Sequence, residues 1–285
     1  MLCNLVWDPD RVFFIIPYLR HPVMWYGVLF ALGFIVGYFL VRKILANFLT
    51  TWNLSAAESE KEALRLTDQG IVIIVIGALV GARLGHIIFY GWHYYSEHPL
   101  DVFKVWEGGL ASHGGAIGVL IALIIFVWLN RKREPRLTFL MVLDLVVIPT
   151  AFVGCCIRIG NFINQEIMGI PTSLPWGVTF LHPVDGIAGV PVHPVQLYEA
   201  FFYLFAFFFL LTLWLRDRRT IGTGLVTGWF FLLVFGFRFV IEYLKMPQNE
   251  AFDANGWIKM GQLLSIPFVL AGIGLLINYY ARKKR

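Results

Sequence analysis

Leu137-Thr-Phe-Leu-Met-Val-Leu-Asp-Leu-Val-Val-Ile-Pro-Thr-Ala-Phe-Val-Gly-Cys-Cys-Ile157 is 21 residues long and carries one acidic or basic side chain, Asp144. A hydrocarbon core roughly 30 Å thick is crossed by a helix of about 20 mostly apolar residues. The stretch reads as a membrane-spanning helix, and working outward from it finds six more. They cover residues 23–41, 71–92, 108–129, 200–215, 221–237 and 260–281, with Arg83 inside the second and the sixth running on past Arg238. Barrel strands alternate apolar and polar residues over about 10 positions, whereas these runs are apolar on both parities. Backbone groups in lipid must be satisfied internally, which leaves helices. Charged residues make up 14% of the 285, against about 25% in a soluble domain. Hydrophobic residues are 58% and mean hydropathy is +0.71. These numbers exclude a soluble domain and a disordered chain, and three Cys exclude a disulfide-framed module. The expectation is an all-α, polytopic, seven-helix membrane bundle forming one domain over residues 1–285.

The net charge of +5 does not point to nucleic acid, because the basic residues cluster in short loops between apolar runs. Fifteen Lys and Arg fall on one side: Arg42, Lys43, Lys61, Arg65, Arg131, Lys132, Arg133, Arg136, Arg216, Arg218, Arg219, Arg282, Lys283, Lys284 and Arg285. Five fall on the other: Arg11, Arg20, Lys104, Lys245 and Lys259. The positive-inside rule places the N-terminus outside and the C-terminus in the cytoplasm. Residues of about 170–194, rich in Pro, Gly and His, then face outward between spans four and five. No cleavable signal pattern is read at the N-terminus. The polar segment 53–68 begins Ser-x-x-Glu (Ser55, Glu58) and predicts a cytoplasmic surface helix. Gly33 and Gly37, Gly77, Gly81 and Gly85, Gly114 and Gly118, and Gly224 and Gly228 recur at the spacing that lets helices approach closely in lipid.

Ionisable groups at membrane depth are costly and are candidates for function. Arg83, His113, Asp144, Arg158, Arg238 and Glu242 qualify, with Glu166 and Glu199 just beyond the outer ends of spans. Each also has a plain structural reading. Arg238 and Glu242 are four residues apart and share a helix face, so an internal ion pair would neutralise both. Arg83 can snorkel outward. Asp144 reads as a fold-stabilising partner, and Cys155 and Cys156 as small packing residues. His113 sits in Ala-Ser-His-Gly-Gly-Ala-Ile-Gly, where glycines let a backbone or ligand come close. The strongest stretch is Arg158-Ile-Gly-Asn-Phe-Ile-Asn-Gln-Glu-Ile-Met-Gly169. Arg158, Asn161, Asn164 and Glu166 crowd polar groups at the outer mouth of the bundle, and Arg offers the forked donors that suit a phosphate. A second polar cluster, His193-Pro-Val-Gln-Leu-Tyr-Glu199, lies at the same boundary. Together they read as an outward site for an anionic headgroup.

These residues resemble the prolipoprotein diacylglyceryl transferase family, whose signature Gly-Arg-x-Gly-Asn-Phe-aliphatic-Asn-x-Glu-x-x-Gly is matched from Arg158 to Gly169. Further blocks are similar in order along the chain: Trp25-Tyr26-Gly27, Gly81-Ala-Arg83, Trp106-Glu-Gly-Gly109, His113-Gly-Gly115, His193-Pro-x-Gln-Leu-Tyr-Glu199, Phe237-Arg238 with Glu242, and Gly261-Gln-Leu-Leu-Ser-Ile-Pro267. Ile157 stands in place of the signature's first Gly, Met24 where some members have His, and Val234 where some carry Tyr.

The resemblance implies transfer of a diacylglyceryl group from phosphatidylglycerol to the thiol of the lipobox cysteine in a prolipoprotein signal peptide. It implies a thioether product, released glycerol phosphate, no metal or organic cofactor, and a multi-pass location in the bacterial cytoplasmic (inner) membrane among its lipids. A thiol of pKa about 8.5 is little ionised near neutral pH, so a base or a cationic field is needed. His113 is the candidate base. Arg158 and Arg238 are the candidate phosphate clamps, whose donors strengthen as the phosphate departs. Asn161, Asn164 and Glu166 would orient Arg158 or the headgroup, and Glu242 would orient Arg238. Tyr26, Arg83, Gly169, His193, Tyr198 and Glu199 complete the expected substrate-binding set. The competing class is a membrane transporter with an outward anionic-headgroup site. Such folds commonly show repeats and broken helices near the midplane, and no repeat is visible here. A structural scaffold would explain the glycine pairs but not the polar cluster from Arg158 to Gly169.

Overall fold

Long apolar runs with few internal breakers fold as the helices that dominate the structure, a computed structural model describing residues 5–18, 20–247 and 258–284. Seven helical stretches are long and apolar enough to cross a membrane: Trp25–Trp52, Ala56–Glu97, His113–Asn130, Phe139–Asn164, Val195–Arg216, Leu225–Leu244 and Met260–Lys283. They agree with the seven expected spans. Part of the loop expected between the last two, residues 248–257, lies outside the described residues. The regular helices are α1 (Trp25–Leu49), α2 (Ala56–His86), α3 (Trp92–Glu97), α4 (Ser112–Asn130), α5 (Phe139–Asn164), α6 (Val195–Arg216), α7 (Leu225–Phe230), α8 (Gly236–Ile241) and α9 (Met260–Lys283). Many of their apolar side chains face outward, such as Ile124, Phe201 and Leu270, as a lipid-facing surface requires. The chain divides into two compact units, residues 41–143 and residues 1–40 with 144–285.

In the first unit, the expected surface helix over 53–68 is not separate. Ser55 and Glu58 form the capping box, but α2 runs on without interruption into the membrane span. Nothing between Asp68 and Ile71 stops a helix, since a lone internal glycine costs only about 1 kcal/mol. The glycines of α2 and α4 form a seam. A Cβ added at Gly81 or Gly114 would strike the other's carbonyl oxygen, and one at Gly118 would strike that of Gly77. The two backbones are in direct contact, as the spacing predicted.

In the second unit, Gly33 and Gly37 of α1 lie against Val153 and Pro149 of α5. Gly228 meets Gly272 and Leu276 of α9 in the same way. Asp144, fully buried, accepts hydrogen bonds from the amides of Gly222 (2.9 Å), Gly224 (2.9 Å) and Thr227 (2.8 Å) and from the Thr227 hydroxyl (2.6 Å). It therefore caps α7 from a neighbouring helix. Asp144→Ala strands those donors and is expected to cost about 2 kcal/mol of stability. Detergent-based unfolding of the purified protein measures the loss; an unchanged midpoint would refute the capping role.

Short strands, absent from the sequence expectation, pack outside the spans. β1 (Leu5–Trp7) pairs in parallel with β4 (Val178–Phe180), which pairs antiparallel with β5 (Pro191–Val192). β2 (Val12–Ile16) and β3 (His21–Met24) form an antiparallel pair. Val178, Phe180 and Val192 bury their side chains with Phe162 and Met168, and Trp7 covers that cluster. The Trp7 indole donates to the Phe162 carbonyl at 3.0 Å, which ties the sheet to the end of α5.

Candidate active site

The last two turns of α5 carry the polar cluster. Gly160 leaves room for the ring of Tyr26, since a Cβ there would sit 2.7 Å from Tyr26 Cδ2. Arg158 is buried. Its Nη1 donates to Asn161 Oδ1 at 3.2 Å, the contact expected one turn apart. Asn161 Nδ2 donates to Glu166 Oε1 at 2.7 Å, and Asn164 Nδ2 donates to the same oxygen at 3.3 Å. The four residues of the sequence cluster therefore converge.

Arg158 is also held from α6. Its Nε lies 3.1 Å from Glu199 Oε2, and the Tyr203 phenol interacts with the same guanidinium. Glu199 is fully buried, and its Oε1 accepts from Lys245 Nζ at 2.9 Å and from the Tyr203 hydroxyl at 3.3 Å. Lys245 Nζ reaches Glu242 Oε2 at 3.3 Å. Arg158, Glu199, Lys245 and Glu242 thus form a buried row of alternating charge. Removing one member of such a row leaves an uncompensated buried charge, at about 3–5 kcal/mol.

The loop after α5 holds strained backbone. Gln165 and Ile167 have φ of 57° and 59°, a region disfavoured for any side chain and most for a β-branched one. Neighbours fix it in place. Gln165 Oε1 accepts from the His182 amide at 2.8 Å, Asp185 Oδ1 from the Ile167 amide at 3.0 Å, and the Glu166 carbonyl from Gln196 Nε2 at 2.8 Å. The His182 ring, 2.8 Å from Asp8, holds that carboxyl below the usual carboxylate range. Gly169 then packs directly on the His193 carbonyl, where any Cβ would collide. The Ile170 amide donates to the Leu244 carbonyl and the Met246 amide to the Met168 carbonyl, each at 2.9 Å. This pairing sets the position of Lys245 between them. His193 Nδ1 lies 3.4 Å from the Tyr198 hydroxyl, which accepts from Trp176 Nε1 at 2.8 Å.

Arg238 follows a π-helical turn over Phe231–Phe235 that interrupts the sixth span. It is half-buried, and its Nε is buried without a partner among the described residues. The Arg238–Glu242 ion pair that the spacing allows is not what forms. Helix α8 ends at Ile241 and the chain tightens into a 3₁₀ turn at Glu242–Leu244. The Glu242 carboxylate turns to Lys245 and lies against Gly261, where a Cβ would sit 2.5 Å from its Cδ.

The other unit carries His113 and Arg83. His113 is the second residue of α4, with an exposed side chain. Arg83 does not snorkel outward, and its guanidinium is not open to a substrate. It is buried, donating to the carbonyls of Val102 (2.9 Å), Gly108 (2.7 Å), Gly109 (3.2 Å), Asp101 (2.5 Å) and Lys104 (3.3 Å), and lies over the Tyr95 ring at 4.9 Å. The loop preceding α4 is folded around this one cation, and the Ala111 amide donates to the Ala82 carbonyl at 2.9 Å beside it.

A family model described as prolipoprotein diacylglyceryl transferase matches residues 12–278. The chain belongs to that family. It is 44% identical to the phosphatidylglycerol–prolipoprotein diacylglyceryl transferase of Tolumonas auensis, over 99% of this chain and 100% of the relative. The enzymes of the same name from Porphyromonas gingivalis and Protochlamydia amoebophila are 42% and 38% identical, covering 96% of this chain in each case and 94% and 95% of the relatives. For this member of the family, sequence reasoning passed over Lys245 and Tyr203. Lys245 was counted only as an outer-loop charge, though it lies three residues past an acidic group. Tyr203 lies among the phenylalanines of α6, one turn from Glu199, and packs with Cys155, Ala200 and Val234. Its hydroxyl in an otherwise apolar run was the available signal.

Proposed function

We propose that this member of the prolipoprotein diacylglyceryl transferase family moves the diacylglyceryl group of phosphatidylglycerol to the thiol of a prolipoprotein's lipobox cysteine. It does so in the bacterial cytoplasmic membrane, with residues 170–194 outside and the C-terminus in the cytoplasm. In the reaction a C–S bond forms at the glycerol carbon and the C–O bond to phosphate breaks. The electron pair leaves with glycerol phosphate, and the thiol proton passes to a base. His113 is that base in this reading. Arg238 and Arg158 clamp the departing phosphate, Arg158 from its seat on Asn161 and Glu199. Asn161, Asn164 and Glu166 line the headgroup side, with Tyr26, Gly169, His193 and Tyr198 around them. Arg83 supports the reaction by shaping the loop before His113.

Family membership carries this reading, and Arg238 supports it: a cation at membrane depth with a buried, unpartnered donor suits an anionic headgroup. Purified protein given labelled phosphatidylglycerol and a lipobox peptide should yield the thioether peptide and glycerol phosphate. Failure of a folded preparation to modify the peptide would overturn the proposal. For topology, a cysteine added at the C-terminus should react with a membrane-impermeant reagent only after the cytoplasmic side is opened. Labelling from outside would reverse the orientation.

A further inference from the structure

Lys245 is 2% exposed, with its ammonium between two carboxylates that come from different parts of the chain. A buried lysine is costly, and it is placed here with care. Gly169 pairs with its backbone, Met168 accepts from the amide after it, and Lys259 Nζ donates to the carbonyls of Glu242 (2.9 Å) and Lys245 (2.6 Å). The consequence is read at Arg238. Its sequence neighbour Glu242, four residues on, is the partner that helix geometry offers it. That carboxylate instead faces Lys245, and Arg238 keeps a buried Nε with no partner among the described residues.

We propose that Lys245 is a positioning residue that occupies the Glu199 and Glu242 carboxylates so that Arg238 stays unpaired for an anionic lipid headgroup. The inference rests on the transferase reading for the identity of that lipid. The charge arithmetic supports it. Arg158 and Lys245 balance Glu199 and Glu242, so the row is neutral; of the two further cations near it, Lys259 is held by the Glu242 and Lys245 carbonyls, and Arg238 is the one that keeps an unpartnered donor among the described residues. Without the ammonium the row carries an excess negative charge, and Arg238 is the nearest sequence neighbour able to answer it. Its donors would then turn inward, and the headgroup would meet a quenched arginine.

The test is lipid selectivity in the purified full chain, held in phosphatidylcholine nanodiscs and titrated with fluorescent phosphatidylglycerol or fluorescent phosphatidylcholine. Lys245→Met keeps the stem and removes the charge. It should lower the preference for phosphatidylglycerol about tenfold or more, the scale of one lost charge-assisted contact. Lys245→Met with Glu242→Gln removes both charges, returns the row to neutrality, and should recover most of the lost preference. A folded Lys245→Met protein with wild-type preference overturns the proposal, as does a folded double variant no better than the single one. If the single variant does not fold, the double variant is judged against wild type, where absence of selectivity is the overturning result. Loss of peptide modification by wild-type protein would count against the transferase reading alone, because selectivity is measured without the peptide.

Discussion

Arg158→Lys is expected to lower turnover by about 10²–10³-fold although it keeps the charge, the scale set by losing one donor to developing negative charge. The guanidinium makes two contacts in different directions, to Asn161 at 3.2 Å and to Glu199 at 3.1 Å. A planar fork holds both at once, whereas an ammonium on a shorter, flexible reach cannot. Asn161 would then lose its anchor and, through its 2.7 Å bond, so would Glu166. Steady-state kinetics with phosphatidylglycerol and a lipobox peptide measure the effect. Turnover within a few-fold of wild type would mean that local positive potential is all Arg158 supplies.

His113→Gln is expected to reduce turnover by about 10²–10⁴-fold with phosphatidylglycerol binding largely kept, the range for loss of a general base. Glutamine is similar in size and can hydrogen-bond, but it does not accept a proton at working pH. The pH profile separates a base from a spectator. In wild type, a general base gives the activity an acid-side limb. In the variant that limb should vanish, and the residual rate should climb with pH as the substrate thiol ionises unaided. A variant that keeps the wild-type acid limb, or loses lipid affinity in proportion to turnover, removes His113 from the chemistry.

Much of this architecture was legible from residue order because membrane spanning imposes a coarse rule. Twenty apolar residues need no partner to be recognised, and the seven helices follow. The cluster from Arg158 to Gly169 was legible for a related reason. Its members lie within one helical turn of their neighbours, so local spacing predicted contacts such as Arg158 to Asn161. What spacing could not supply was the long-range half of the same network. Glu199 and Lys245 meet across 46 positions of sequence, and Lys245 is set there by backbone pairing to residues 168–170. Helix periodicity also misassigned Glu242, because the α-helix ends one residue before it and its carboxylate leaves the Arg238 face. Arg83 looked like a group near the membrane boundary, but five carbonyls of a loop more than a dozen residues downstream enclose it. The strands were invisible because each is five residues or shorter, and β1 takes its partner β4 from distant sequence.

The glycine seam between α2 and α4 has a consequence for how this sequence can change over generations. At Gly81 and Gly114 each residue's missing side chain is the space that the other's backbone oxygen occupies. A codon change to alanine at either position therefore meets an obstacle that no rotamer shift can clear, because the obstructing atom is main chain. A compensating change opposite cannot help, since glycine is already the smallest residue available. The only route away from glycine is to move the two helices apart, which would have to be accepted at Gly77, Gly85 and Gly118 in the same step. Drift by single substitutions is closed along this seam, and a saturation library at these positions should return glycine almost alone among functional clones.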